Sequence, residues 1–224
     1  MKKVLFLMVS VLALTSCKVD LANWGANQIK PSDEIVTKTY QLDAFEEVNM
    51  SGVGHIELIQ DEKKSGTIEL TAPDNYVELY KFESKDGKLS IGFTKNNINL
   101  NTKHVDIKVY TADLIKLKNG GASSINMEKL DTDQLTIINS GVGSIKIAGI
   151  ADNVEMTNSG VGSIDAQRLK ALNVKATVSG VGSITCYASE KIESRVSGVG
   201  SLKYAGNPKQ TDNHRSGVGS ISEM

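Results

Sequence analysis

The sequence predicts an all-β protein that folds as a right-handed parallel β-helix, a solenoid with coils of about 19–20 residues. The main observation is a hexapeptide, Ser-Gly-Val-Gly-Ser-Ile, which recurs with little change from residues 51, 140, 159, 179, 197 and 216, with a degenerate copy from residue 120. The segments between copies alternate apolar and polar residues, as half-buried strands do. Repeats this short bury no core alone, but stacked coils share one. Crossovers between parallel strands are right-handed as a rule, which gives the predicted hand.

The chain begins with the features of a bacterial lipoprotein signal. Two lysines precede an apolar run over 4–14, which is too short to span a membrane and is typical of a secretory signal. The Leu-Thr-Ser-Cys sequence that ends at Cys17 resembles a lipobox, so we expect residues 1–16 to be removed and Cys17 to be lipidated. The alternative is an ordinary secreted protein with a cysteine near its cleavage site by chance. Lys18 stands where inner-membrane lipoproteins carry aspartate, which favours the outer membrane, on either its periplasmic face or the cell surface.

Charge and cysteine content narrow the function classes further. Removing the signal takes away two lysines and lowers the formal net charge from −1 to −3. That balance argues against binding to nucleic acid. With Cys17 acylated, Cys186 is the remaining cysteine, so no internal disulfide is expected. Cys186 shares the strand parity of Ile184, which predicts a buried thiol without a reactive role.

The mature chain divides into a tether and one domain. Residues 17–32 are polar and lack apolar periodicity, as a flexible tether does, and Trp24 within them could sit at lipid headgroups or pack on the domain. Residues 33–224 form the predicted β-helix domain, and Asn75–Phe82 is a candidate short helix. Alternation and turn residues predict five further strands in the N-terminal half. These are Val36–Tyr40, Gly54–Ile59, Thr67–Thr71, Lys88–Phe93 and Val105–Tyr110.

Aligning the C-terminal copies on their first serine turns the sequence into columns. Residues five and three before the serine are mostly apolar and point inward, whereas the residues between them are polar and point outward. Stacking then sets Lys175 beside both Glu155 and Glu193. The valine and the isoleucine of each hexapeptide have opposite parity, so if both face the core the chain must bend between them at glycines. The predicted corner glycines are Gly52, Gly54, Gly141, Gly143, Gly160, Gly162, Gly180, Gly182, Gly198, Gly200, Gly217 and Gly219.

The pattern resembles a known family. The Gly-x-Gly-Ser corners, the segment 45–59 and the segment 86–91 are similar to the putative auto-transporter adhesin, head GIN domain family over about 35–224. The resemblance implies a right-handed β-helix in an envelope lipoprotein or secreted protein of Bacteroidetes-like bacteria, with a role in adhesion. It carries over no catalytic residues.

Sites for chemistry are not evident in the sequence. The Ser-Gly-Val-Gly-Ser copies lack the lysine and the following helix of a phosphate-binding loop. Three histidines, His55, His104 and His214, are scattered without the spacing of metal ligands. Outward acids alternate with lysines, which favours a charge-paired sheet surface over a catalytic groove; they are Glu155, Asp165, Glu193 and Asp212, with Lys146 and Lys175. We therefore predict no enzyme activity, no cofactor and no metal site.

The sequence favours a membrane-anchored envelope lipoprotein that serves as an adhesion or binding module. A ladder of Thr157, Thr177, Arg195 and His214 is a candidate ligand face, although ordinary solvated sheet surface explains it as well. Expected partners are the membrane through the lipid anchor and a glycan, host protein or envelope protein, and the flat face could also pair with a second copy. The alternatives are a periplasmic scaffold or envelope-stress protein and, third, a glycan-active β-helix enzyme.

Overall fold

The computed structural model describes residues 28–96 and 98–224, which form a β-solenoid of about 5 turns. The predicted all-β solenoid, with coils about 20 residues apart in the C-terminal half, is confirmed. The signal, Cys17 and Trp24 lie outside the described residues. Among the residues that are described, no helix is long and apolar enough to cross a membrane.

Ten short strands make up the N-terminal half. They are β1 (Gln28–Ile29), β2 (Ile35–Gln41), β3 (Glu47–Met50), β4 (Val53–Gln60), β5 (Thr67–Pro73), β6 (Tyr80–Lys85), β7 (Lys88–Phe93), β8 (Asn99–Leu100), β9 (Asp106–Thr111) and β10 (Lys116–Asn119). One helical turn, α1 (Asp74–Val77), and two 3₁₀ turns, Glu62–Lys64 and Thr102–His104, connect them.

The C-terminal half consists of long strands that each run from one hexapeptide to the next. They are β11 (Ala122–Asn139), β12 (Val142–Asn158), β13 (Val161–Val178) and β14 (Val181–Val196), followed by the shorter β15 (Val199–Ala205), β16 (Gln210–Arg215) and β17 (Val218–Glu223). Neighbouring strands pair in parallel and in the register that the hexapeptides predict, for example Ile145 with Ile164.

The coil that contains the first hexapeptide does not stack in the order of the chain. Strands β3 and β4 flank it and pair with β10 and β11, so Val53 lies beside Ala122 of the degenerate copy. On their other side, β3 and β4 pair in parallel with β7 and β9, which come later in the chain. This coil therefore precedes both of its neighbours in the chain, with β7 and β9 stacked on one side of it and β10 and β11 on the other.

Antiparallel strands close the N-terminal end of the solenoid and, together with α1, form what we call the N-terminal cap. Strand β6 pairs with β7, β5 pairs with β9, and β2 pairs with β5. The side chains of Tyr76 and Val77 from α1 are buried against the core, and the Tyr76 hydroxyl donates a hydrogen bond to the Ile29 carbonyl at 2.5 Å. These elements cover an edge that would otherwise expose unpaired backbone groups.

The predicted helix over Asn75–Phe82 is wrong in its second half. Only Asp74–Val77 is helical, and Tyr80–Lys85 is strand β6. The reason is the Asp86-Gly87 turn, where both residues have positive φ, 52° and 73°. Two such residues form the two-residue turn that suits a tight hairpin, so β6 folds back onto β7.

The core consists of stacked columns, as predicted. Five residues before each serine, Leu135, Val154, Val174 and Ile192 are buried, and the isoleucine column from Ile125 to Leu202 is buried as well. Ile115, at the start of the first column, is instead 37% exposed because Leu114 fills the interior there. In the last coil, Thr211 and Asn213 are exposed.

The predicted inward valines are wrong. Val142, Val161, Val181, Val199 and Val218 face solvent, with 52–75% of their surface exposed. The alternation of burial continues through the corner, because the two glycines that flank each valine share the parity of the buried isoleucine.

The corner glycines turn toward the coil below. A Cβ on Gly162 would overlap the carbonyl oxygen of Gly143, and a Cβ on Gly182 would overlap that of Gly162. The same holds for the glycine that precedes each valine, for example Gly160 over Gly141. Glycine is needed here for close backbone approach, in addition to the positive φ of Gly162 and Gly182, 137° and 154°. Gly52 differs, since its nearest neighbour is the Met50 side chain.

A buried asparagine ladder lies just before the corner in three coils. Asn119, Asn139 and Asn158 are fully buried. The Asn119 Nδ2 donates to Asn139 Oδ1 at 2.9 Å, and Asn139 Nδ2 donates to Asn158 Oδ1 at 3.1 Å. In the next two coils Val178 and Val196 take this position. The ladder satisfies polar groups that the sequence alone did not assign to the core.

We expect Gly182→Ala to lower the free energy of unfolding by at least about 2 kcal/mol, since the new Cβ needs both a strained φ and a displaced carbonyl. Because coils contact only their neighbours, hydrogen exchange should rise in β14–β17 more than in the N-terminal cap. Urea unfolding and amide exchange would measure both effects. The matched control, Val181→Thr at an exposed position, should leave stability unchanged. Uniform loss of protection in Gly182→Ala would contradict the stacking role.

A second substitution tests the asparagine ladder. Replacing Asn139 with valine orphans Asn119 Nδ2 and Asn158 Oδ1, which should cost about 2–6 kcal/mol at about 1–3 kcal/mol per unsatisfied buried group. The control Asn153→Val lies on the exposed face and should change stability by less than about 0.5 kcal/mol. Chemical denaturation of the two variants would decide, and equal effects would mean that the ladder contributes little.

Candidate binding groove

An open groove crosses four adjacent strands on one outer side of the solenoid. Each strand contributes two residues, spaced two apart, and the volume is about 330 Å³. We call this the amide groove; its residues are Gln134 and Thr136, Asn153 and Glu155, Asn173 and Lys175, and Lys191 and Glu193. Backbone of the buried column at Leu135, Val154 and Val174 forms its floor.

The first row of the groove is a line of amides. Gln134 lies beside Asn153, Asn153 beside Asn173, and Asn173 beside Lys191, in direct register on neighbouring strands. The Asn173 Nδ2 donates a hydrogen bond to Asn153 Oδ1 at 3.1 Å. Within the described chain, the Gln134 amide and Asn153 Nδ2 have no protein partner. The row therefore offers both donors and acceptors to a ligand.

The second row consists of Thr136, Glu155, Lys175 and Glu193, and both of its carboxylates are paired with lysines. Lys175 Nζ lies 2.7 Å from Glu155 Oε1 on the strand below, and Lys191 Nζ lies 2.6 Å from Glu193 Oε1 on its own strand. The predicted stacking of Glu155, Lys175 and Glu193 is thus observed, although Lys175 pairs only with Glu155. These four charges cancel, so the groove carries no net charge.

The ion pair between Lys191 and Glu193 favours its charged form. The hydrogen bond from Lys191 lowers the pKa of Glu193, and the same bond raises the pKa of Lys191. Both shifts favour the ionised forms. This end of the groove therefore presents a stable ion pair rather than a group ready to exchange a proton.

The second row continues toward the N-terminal cap. Lys88, Glu47 and Lys116 lie in register with Thr136 on successive strands. Next to Lys88 and Glu47 is a second concave region of about 690 Å³, whose lining includes Ser84, Asp86 and Ser90. One polar row thus runs along the solenoid from the cap to the last coil.

The ladder predicted from the sequence lies one row away from the groove. Thr157, Thr177, Arg195 and His214 do lie side by side on β12, β13, β14 and β16. His214 Nε2 contacts Asp212 Oδ1 at 2.8 Å, so the imidazole at the last position of the ladder already has a polar partner. Sequence reasoning missed the amide row, whose signal was a polar residue six positions before each serine: Gln134, Asn153, Asn173, Lys191 and Gln210.

The other candidate residues do not assemble into a reactive site. Cys186 is buried, and burial raises the pKa of its thiol to about 12. No group of three or more histidine, cysteine, aspartate or glutamate side chains within 28–96 and 98–224 could hold a metal ion. The predicted corner glycines line the stacked corners described above, and Cys17 lies outside this part of the chain.

Comparison with known proteins agrees with this architecture. A family profile described as "putative auto-transporter adhesin, head GIN domain" matches residues 44–208. The chain belongs to this family. A search of curated proteins gave no match.

Solved structures share the fold of the family member described here. A protein described as a putative adhesin from Bacteroides fragilis is 29% identical, with a TM-score of 0.76, and the match covers 88% of this chain and 100% of that chain. A putative lipid binding protein from Parabacteroides distasonis is 19% identical, with a TM-score of 0.56 and coverage of 88% and 99%. A putative adhesin from Parabacteroides merdae is 18% identical, with a TM-score of 0.53 and the same coverage. The last two show the fold alone.

The burial of Cys186 has a chemical consequence. Since burial raises the pKa of its thiol, a thiol reagent at pH 8 should modify Cys186 only after unfolding. The measurement is labelling of a Cys17→Ser variant with and without denaturant. An added exposed cysteine, Asp152→Cys, should react at once in the folded protein and serves as the control. Rapid labelling of native Cys186 would show that the core opens.

Proposed function

We propose that this protein is an outer-membrane lipoprotein that presents its solenoid as a non-enzymatic adhesion module. Membership of an adhesin-like family supports a place in the cell envelope or at its surface. The lipobox-like sequence before Cys17 supports the anchor.

The amide groove is the observation that carries the proposal. It is open, polar and elongated, and it is built on rigid paired strands, as a binding face is. A general acid needs a raised pKa, whereas the carboxylates of this groove are held by lysines and the pKa of Glu193 is lowered. The arrangement suits recognition better than turnover.

The placement of the chain ends suits display. Strand β1 directly follows the greater part of the predicted tether and pairs with β8, and the Ile29 carbonyl binds Tyr76 in the N-terminal cap. A lipid at Cys17 would hold the capped end near the bilayer. The stacked coils would then extend away from the membrane, with the amide groove along their side.

Fractionation and surface accessibility test this function. We expect the wild-type protein in the outer-membrane fraction and cleaved by protease added to intact cells, whereas Cys17→Ser, which lacks the acyl chains, should be soluble. Cells without the protein should adhere less to host-derived matrix, and restoring it should recover adhesion. Protection until cells are lysed would discard the adhesin role and favour a periplasmic scaffold.

A further inference from the structure

We propose that the amide groove binds a neutral glycan chain laid along the solenoid axis, with successive sugar residues over successive strands. This inference rests on the proposed function as a binding module and specifies its ligand. It follows from what the groove can and cannot recognise.

The backbone of the groove is not available to a ligand. Residues 136–139, 153–158 and 173–178 take part in parallel ladders with the strands on both sides. An extended peptide that adds a strand needs a free edge, which this face lacks. Recognition must therefore come from side chains.

The side chains that line the groove suit hydroxyl groups. Amides offer a donor and an acceptor together, as Gln134 and Asn153 do here, and Thr136 adds a hydroxyl. A sugar presents neighbouring hydroxyls that each donate and accept, so one amide can bind two of them. The Glu155 and Lys175 pair supplies charged acceptors and donors, which form stronger hydrogen bonds than neutral groups.

The charge pattern favours a neutral ligand. Two acids and two lysines line the groove, and each lysine is held by an acid at 2.7 Å or less. A polyanion such as nucleic acid or a sulfated glycan would gain no net attraction and would have to displace these pairs. A neutral ligand can bind without disrupting them.

The dimensions fit a short stretch of a longer chain. The volume of about 330 Å³ is at the lower end of the range for small-molecule sites, about 300–1,000 Å³. Neighbouring strands are about 4.8 Å apart. That step is close to the length of one pyranose unit in an extended polysaccharide, so equivalent side chains meet equivalent sugars. The open sides of the groove would let a polymer continue beyond it.

Calorimetric titration of the full-length protein in detergent micelles tests the inference. The probes are cellohexaose, maltohexaose, xylohexaose and chitohexaose, with heparin and an extended polar peptide as competitors of other classes. We expect at least one neutral oligosaccharide to bind, with affinity that rises up to about four sugar residues because four strands contribute. Its affinity should be unchanged between about 0.05 and 0.5 M NaCl.

Variants locate the binding site. Asn153→Ala combined with Asn173→Ala should weaken binding at least about tenfold, the effect expected from losing two hydrogen-bonding side chains. The matched control, Thr157→Ala with Thr177→Ala, lies four residues along on the same two strands, outside the groove, and should bind as the wild type does. Equal unfolding midpoints for both double variants would exclude misfolding as the cause.

Several outcomes would overturn the inference. The first is that none of the four oligosaccharides binds, and the second is that one binds with the same affinity to the Asn153→Ala, Asn173→Ala variant. The third is that the protein binds heparin in a salt-sensitive manner or prefers the peptide. These outcomes are separate from failure of the adhesion role. If intact cells that carry the amide substitutions still adhere, the proposed adhesion function stands and the glycan ligand is wrong. If the purified protein binds sugar but is protected from protease on intact cells, the glycan ligand stands and the adhesion function is wrong.

Discussion

The close contact between glycines of successive coils is the constraint on which the rest of the structure depends. Each corner from residue 140 onward places its glycines against the carbonyl oxygens of the coil below, where a Cβ would overlap. A slip by one residue would bring a valine or a serine to that contact. The corner thus fixes the register, and a fixed register aligns the isoleucine column, the asparagine ladder and both rows of the amide groove.

The corner also explains how the less regular coils are accommodated. The degenerate copy has Ser123 where later copies have glycine, and its hydroxyl donates to Asn119 Oδ1 at 2.8 Å. The Asn119 side chain thereby links the irregular corner to the buried ladder. At Val178 and Val196, in the next two coils, an apolar residue fills the same space. The asparagines therefore lie in the three coils nearest the N-terminal half, and they begin at the corner whose sequence departs from the repeat.

The sequence was sufficient to predict the structural features that repeat from coil to coil, but it was insufficient to predict those that occur once. Columns of equivalent residues predicted the coil length, the pairing of Ile145 with Ile164 and the stacking of Glu155 with Lys175. Their parity did not reveal that Val161 faces solvent, because the glycines on either side of it carry no side chain to indicate direction. The N-terminal cap depends on pairs far apart in the chain, such as Val36 with Ala72, which no local pattern specifies. The amide groove depends on the shape of the outer surface across four strands, so its polar column was visible in the sequence but its concavity was not.

The position of the first hexapeptide coil has a consequence for the order in which the protein folds. Strands β3 and β4 lie between β7 and β9 on one side and β10 and β11 on the other, and all four partners come later in the chain. During synthesis this coil emerges before either of its neighbours, so it cannot serve as a template on its own. Its pairing with β7 and β9 has to wait until the chain has reached residue 111, and its pairing with β10 and β11 until the chain beyond residue 120 is present. A repeat protein that could in principle grow one coil at a time thereby begins with a long-range step.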